Sequence, residues 1–248
     1  MSDLYKRNKL SQIEDEPEGR NIPIFTILII VIIIISLFRH FSFDNTVLRN
    51  VDMQPFSEPI QENIEDGTPF QHKVSEGVAT ITPLANYKIY GRVLVRHYRP
   101  SKLPMASMYP YDVTIGFGDF RYKEVINAMQ FKMASTTSYY SWSASAYKKH
   151  LYKYFKDKSI HHYWTNNHIC PANKNIRKGI AKLKKKDIVY IEGYLVKYEL
   201  HKKNGTIEKG TSSTVRNDEE PNLHGNNGNG TCEQIYVTRV VSRHGDYR

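Results

Sequence analysis

An α+β fold is predicted for this 248-residue chain, and three observations predict it. An uncharged apolar run fills residues 22 to 38, and a polar, proline-containing stretch follows it to residue 85. From residue 86 onward, segments with period-two apolar alternation are interspersed with short segments of helical period. The expected arrangement is therefore an N-terminal transmembrane helix, a linker, and a mostly antiparallel sheet or small, partly open OB-like barrel with two or three short helices. The corresponding boundaries are a cytoplasmic tail over 1–21, the membrane helix over 22–38, an extended linker over 39–85 and a folded extracytoplasmic domain over 86–248.

The run NIPIFTILIIVIIIISLFRH sits at the short end of what crosses a hydrocarbon layer of roughly 30 Å. A buried core helix would carry polar residues at helical intervals on one face, and this run carries none. A cleaved leader needs a short basic start and a small-x-small cleavage site. The start here includes Glu14, Asp15, Glu16 and Glu18, and the residues after Phe38 read RHFSFDN, so the segment reads as an uncleaved signal anchor in contact with membrane lipid. Lys6, Arg7, Lys9 and Arg20 precede it, whereas only Arg39 and Arg49 follow within twenty residues, which orients the N-terminus inside.

Prolines 55, 59, 69 and 83 among scattered acids give the linker reading. YKIYGRVLVRHY and YPYDVTIGFGDF then alternate as strands, RYKEVINAMQF has helical spacing over 121–131, and TTSYYSWSA reads as a strand. AYKKHLYKYFKD reads as a basic aromatic helix, HHYWTNNHICP as extended chain, and NKNIRKGIAKLKKKD as a helix whose lysines gather at its C-terminal end. DIVYIEGYLVKYEL forms a strand. Asn204-Gly205 signals a type I′ hairpin to a partner strand over 206–215, and a closing strand spans 232–241.

The formal charge is +10, and residues 1–20, with four basic and five acidic side chains, leave the remainder at +11. Such a surface fits an anionic partner, and equally a solvated lysine-rich face. Cys170 and Cys232, 62 residues apart, are candidates for one disulfide worth about 4 kcal/mol in a loop-entropy account; Cys232 fits a small buried hydrophobe as well.

Several segments in order resemble a family of uncharacterised single-pass bacterial inner-membrane proteins with an N-terminal anchor. They are YKIYGRVLVRHYR, YDVTIGFGDF, YYSW, NNHICPAN, DIVYIEGYLV, SSTVRND and TCEQIYV, and they span about residues 87 to 238. The chain departs from the family's pattern in having Phe117 between Gly116 and Gly118 where tryptophan is usual, and Cys170 where an aliphatic residue is usual. The resemblance implies a bacterial envelope location and brings no established activity.

The best polar constellation is Asn166, Asn167 and His168 in one stretch with Ser212, Ser213, Arg216 and Asp218 in another. Ser, His and Asp support acyl transfer when they converge, because the base must reach both the hydroxyl and its orienting carboxylate. No GxSxG elbow is present, and His161, His162 and His168 match no compact metal-ligand spacing, so neither cofactor nor metal is expected. Tyr139, Tyr140, Trp142, Tyr163 and Trp164 beside Lys148, Lys149, Lys153 and Lys156 fit either base stacking or an aromatic core. Three functions stand open. The leading one is a membrane-anchored envelope binding or assembly module whose partner is an envelope protein or an anionic surface. The others are a tethered nucleic-acid-binding domain and a hydrolase using His168 with Ser212 or Ser213.

Overall fold

The computed structural model describes residues 23–48, 51–100, 105–134, 137–212 and 232–248, with side chains in the first helix through residue 36. The chain divides into two units, Met1–Ser42 and Phe43–Arg248. Helix α1 (Ile24–Leu48) starts behind Pro23, whose carbonyl accepts from the amides of Thr26 and Ile27. Its large apolar side chains from Ile24 to Ile35 are exposed. The predicted span ends at Phe38, but α1 continues through Arg39, His40 and Asp44. Among the described residues no helix is long and apolar enough to cross a membrane.

The second unit is a sheet-rich α+β fold. Its strands are β1 (Ile60–Asn63), β2 (Phe70–Val74), β3 (Gly77–Tyr98), β4 (Tyr111–Gly116), β5 (Gln130–Ala134), β6 (Thr137–Ser141), β7 (Trp164–Pro171), β8 (Ile188–Lys202), β9 (Ile207–Thr211), β10 (Cys232–Ser242) and β11 (Gly245–Tyr247). The helices are α2 (Lys123–Ala128), α3 (Ala144–Ala146), a π-helical turn (Tyr147–Leu151), α4 (Tyr152–Phe155) and α5 (Lys174–Lys182). Strand β3 is long enough to serve two neighbours. Its first part pairs with β8 from Gly77 to Arg92, and its last part pairs with β4 from Arg92 to Tyr98. Irregularities at Pro83/Ala85 and Val93/Val95 bend it between them. Hydrogen bonding then runs β3-β4-β7-β10-β8 and returns to β3, all antiparallel except β7 with β10.

The linker expected over 39–85 is corrected, because β1, β2 and the start of β3 lie inside it. Proline there marks strand edges rather than open chain. Pro59 and Pro69 immediately precede β1 and β2, and Pro83 sits at the bulge of β3, where a missing amide is tolerated. The hairpin signal at Asn204-Gly205 is right in place but differs in type. Positive φ occurs at Gly205 (85°) and not at Asn204, so Lys203, Asn204 and Gly205 form a three-residue loop in place of a two-residue type I′ turn.

One apolar cluster, including Val93, Val113, Ile115, Ile169, Ile191 and Ile235, fills one face of this circuit and receives Ile176 and Ile180 of α5. A second gathers Leu94, Phe120, Phe131, Leu151, Phe155 and Trp164 beneath the short helices and the β5–β6 hairpin. Helix α5 begins where Asn173 Oδ1 accepts from the amides of Asn175 at 2.8 Å and Ile176 at 3.0 Å. Asn173→Ala is expected to lower stability by about 1 kcal/mol in urea unfolding, because two end amides lose their acceptor.

Candidate active site

Alternation along three neighbouring strands brings a polar set together. Register places Asp112 opposite His168 and Thr114 opposite Asn166 across β4 and β7. It also places Asn166 opposite Cys232, and His168 opposite Gln234, across β7 and β10. Because side chains of a strand alternate faces, Asp112, Thr114, Asn166, His168, Cys232 and Gln234 share the face turned away from Val113, Ile169 and Ile235. Asp112, Thr114, Asn166 and His168 are buried, and Cys232 is partly exposed.

Arg99, just beyond β3, is buried and grips Asp112 with two parallel bonds. Nε donates to Oδ2 and Nη2 to Oδ1, each at 2.6 Å. His168 Nδ1 lies 2.5 Å from Asp112 Oδ1 and 2.7 Å from Arg99 Nη2. Asp112 only accepts and Arg99 only donates, so Nδ1 bonds one of the two at a time; in the Nδ1–H tautomer it donates to Asp112 Oδ1, and Arg99 Nη2 directs its proton to Asp112 instead of the ring. Nε2 is left as the basic nitrogen, and the His168 ring and the Cys232 thiol, neighbours on this face, shift each other's proton affinity. Asn166 Nδ2 donates to Cys232 Sγ at 3.4 Å.

This surrounding separates the affinities of thiol and ring for a proton. Burial alone would push the Cys232 thiol up, but the neighbouring His168 imidazole, helped by the Asn166 amide, brings it below the ordinary value. Burial likewise disfavours a charged His168, yet the hydrogen bond to Asp112 and the neighbouring Cys232 sulfur raise it above the ordinary value. Both shifts favour a thiolate–imidazolium pair. Cys170, wholly buried without such a partner, is pushed far up by burial.

Comparison with known protein families, characterised proteins and solved structures returned no match. The chemistry of the site is therefore read from its own residues.

The structure unites Asn166 and His168 of the predicted constellation but pairs them with Cys232. Ser212 is buried and turned elsewhere: its Oγ donates to Glu233 Oε2 at 2.9 Å and accepts from the Gln234 amide at 3.1 Å. Asn167 points to the opposite face, where its Nδ2 donates to the Val113 carbonyl at 2.9 Å. Ser213, Arg216 and Asp218 lie outside the described residues.

The candidate disulfide is corrected, since both cysteines are free. Cys170 stands opposite Tyr236 and Cys232 opposite Asn166 in one parallel ladder. The two are thus offset by four residues, roughly 13 Å, well beyond disulfide reach.

Among the described residues no group of three or more His, Cys, Asp or Glu side chains is arranged to hold a metal ion. The aromatic set is split between core and surface: Tyr139 and Trp142 are exposed and Tyr140 and Tyr163 half-buried. Trp164 is buried, and the exposed ring of Trp142 stacks on Tyr140 and Tyr147. Asp112 and Arg99 escaped the sequence reading, although a carboxylate inside the apolar strand YDVTIG was the available signal.

Proposed function

We propose that the second unit is a thiol-dependent acyl hydrolase or acyltransferase in which Cys232 is the nucleophile, His168 the base and Asp112 the group that orients it. The observation that carries this is the face that Cys232 shares with Asn166 and His168, the imidazole joined at Nδ1 to Asp112 and the Asn166 amide donating to the Cys232 sulfur. In the reaction, the Cys232 thiolate forms a carbon–sulfur bond to a substrate carbonyl carbon. The bond to the leaving alcohol, thiol or amine breaks, and His168 supplies the leaving group's proton from Nε2. Neutral His168 then takes a proton from water or an acceptor that attacks the acyl-enzyme, restoring the free thiol.

This replaces serine by cysteine in the hydrolase alternative. A bacterial envelope setting, with α1 as a signal anchor and the second unit outside the cytoplasm, remains part of the proposal. It is supported by the exposed apolar side chains of α1 and the charge bias around it. The circuit β3-β4-β7-β10-β8-β3, with α5 between its third and fourth strands in chain order, supports the OB-like barrel reading.

The test is alkylation of the full chain in detergent with iodoacetamide from pH 5 to pH 9, read by peptide mass. Cys232 is expected to react at pH 7 at least about tenfold faster than in His168→Ala, and an activated ester should leave its acyl group on Cys232. An ordinary thiol profile at Cys232, unchanged by His168→Ala, would overturn the assignment.

A second reading has its own observation. Lys174, Arg177, Lys178, Lys184 and Lys185 are exposed on and just after α5, and no described carboxylate pairs with them. They favour the binding-module reading, with an anionic envelope surface as partner and nucleic acid as the rival. Retention on anionic vesicles that falls steeply with salt, and is lost on charge reversal at Lys178 and Lys185, is the outcome that reading requires.

A further inference from the structure

We propose that Ser138 is a positioning residue for the Cys232 thiolate, acting through Asn166; this rests on reading Cys232 as the nucleophile. Ser138 belongs to the β5–β6 hairpin, a separate two-stranded sheet. The hairpin's Phe131 and Tyr140 pack against Trp164. A serine buried to 2% exposure in such a contact needs partners for its hydroxyl. Those partners are Thr114, in a short hydroxyl–hydroxyl bond, and Asn166 Oδ1 at 3.3 Å. Thr114 Oγ1 lies 3.2 Å from the same Oδ1, so two hydroxyl protons serve three contacts: one hydroxyl donates to the other, which donates to Oδ1.

The two ends of the Asn166 amide have opposite polarity. With Oδ1 held as the acceptor of the linked Ser138–Thr114 hydroxyls, Nδ2 is the end that faces Cys232, where it donates to sulfur. A reversed amide would set a carbonyl lone pair against the thiolate and raise the thiol's proton affinity. Ser138 thereby fixes, from a different sheet, which end of Asn166 the nucleophile meets. The hairpin's apolar packing accounts for its stability, but not for a hydroxyl at this position.

The experiment follows the iodoacetamide rate at Cys232 against pH in the full detergent-solubilised chain, for the unaltered protein, Ser138→Ala, Ser138→Thr and Thr114→Val. Ser138→Ala is expected to move the thiol ionisation midpoint upward and slow alkylation at pH 7 by about threefold to tenfold, with Ser138→Thr restoring it. Thr114→Val should move the midpoint in the same direction and serves if Ser138→Ala fails to fold. A folded variant of either kind whose profile superimposes on the unaltered protein overturns the role of Ser138. An ordinary thiol profile in the unaltered protein instead removes the nucleophile reading beneath it.

Discussion

Replacing Asp112 by Asn is expected to lower the unfolding free energy by about 3–5 kcal/mol, because it strands a buried cation. The Asp112 and Arg99 side chains are both at 0% exposure and joined at 2.6 Å. His168 adds a contact at 2.5 Å, and His97 lies 3.9 Å away. Asparagine keeps the shape but not the charge, so the guanidinium loses its counterion and one of its acceptors becomes a donor. Urea unfolding of the full chain measures the loss. Arg99→Met added to Asp112→Asn should recover part of it, since the stranded charge is then gone; strictly additive losses would refute the coupling. The same substitution frees the His168 ring from its Nδ1–H tautomer. Cys232 alkylation at pH 7 should therefore slow even in the fraction that remains folded.

How much of this was legible differs between the scaffold and the site. Strand β8 and helix α5 were readable because their apolar periods of two and 3.6 each bury one face, and the structure places both where the periods put them. The region of β1 and β2 was misread because proline content alone does not distinguish open chain from short strands bounded by proline. In YDVTIG, the alternation correctly separates Val113 and Ile115 from Asp112 and Thr114. A polar alternate face ordinarily means solvent, yet all six positions of β4 are buried. What covers that face comes from far along the chain: Arg99 from beyond β3, Ser138 from the hairpin, and Asn166 and His168 from β7. Cys232 was weighed against Cys170 as a disulfide because sequence supplies residue counts, whereas the register that separates the two exists only once β7 and β10 pair.

Glu233, the neighbour of Cys232 in β10, sets a pH dependence of stability with an unusual sign. Burial pushes its carboxyl up from 4.5 to about 7, against the opposing pull of the Ser212 hydrogen bond and the His168 charge. A carboxyl whose folded pKa lies above its unfolded one binds its proton more tightly in the native state. Its contribution is therefore complete below pH 4.5 and is lost as pH rises through about 7. The difference, 7 − 4.5 = 2.5, corresponds to a loss of about 3 kcal/mol at pH 8 and above. Glu233→Gln removes the ionisation while keeping an oxygen to accept from Ser212. It is expected to match the unaltered protein at pH 4 and to exceed it by about 3 kcal/mol at pH 8, measured by urea unfolding at both values. Equal differences at the two pH values would mean that Glu233 does not hold its proton in the folded state.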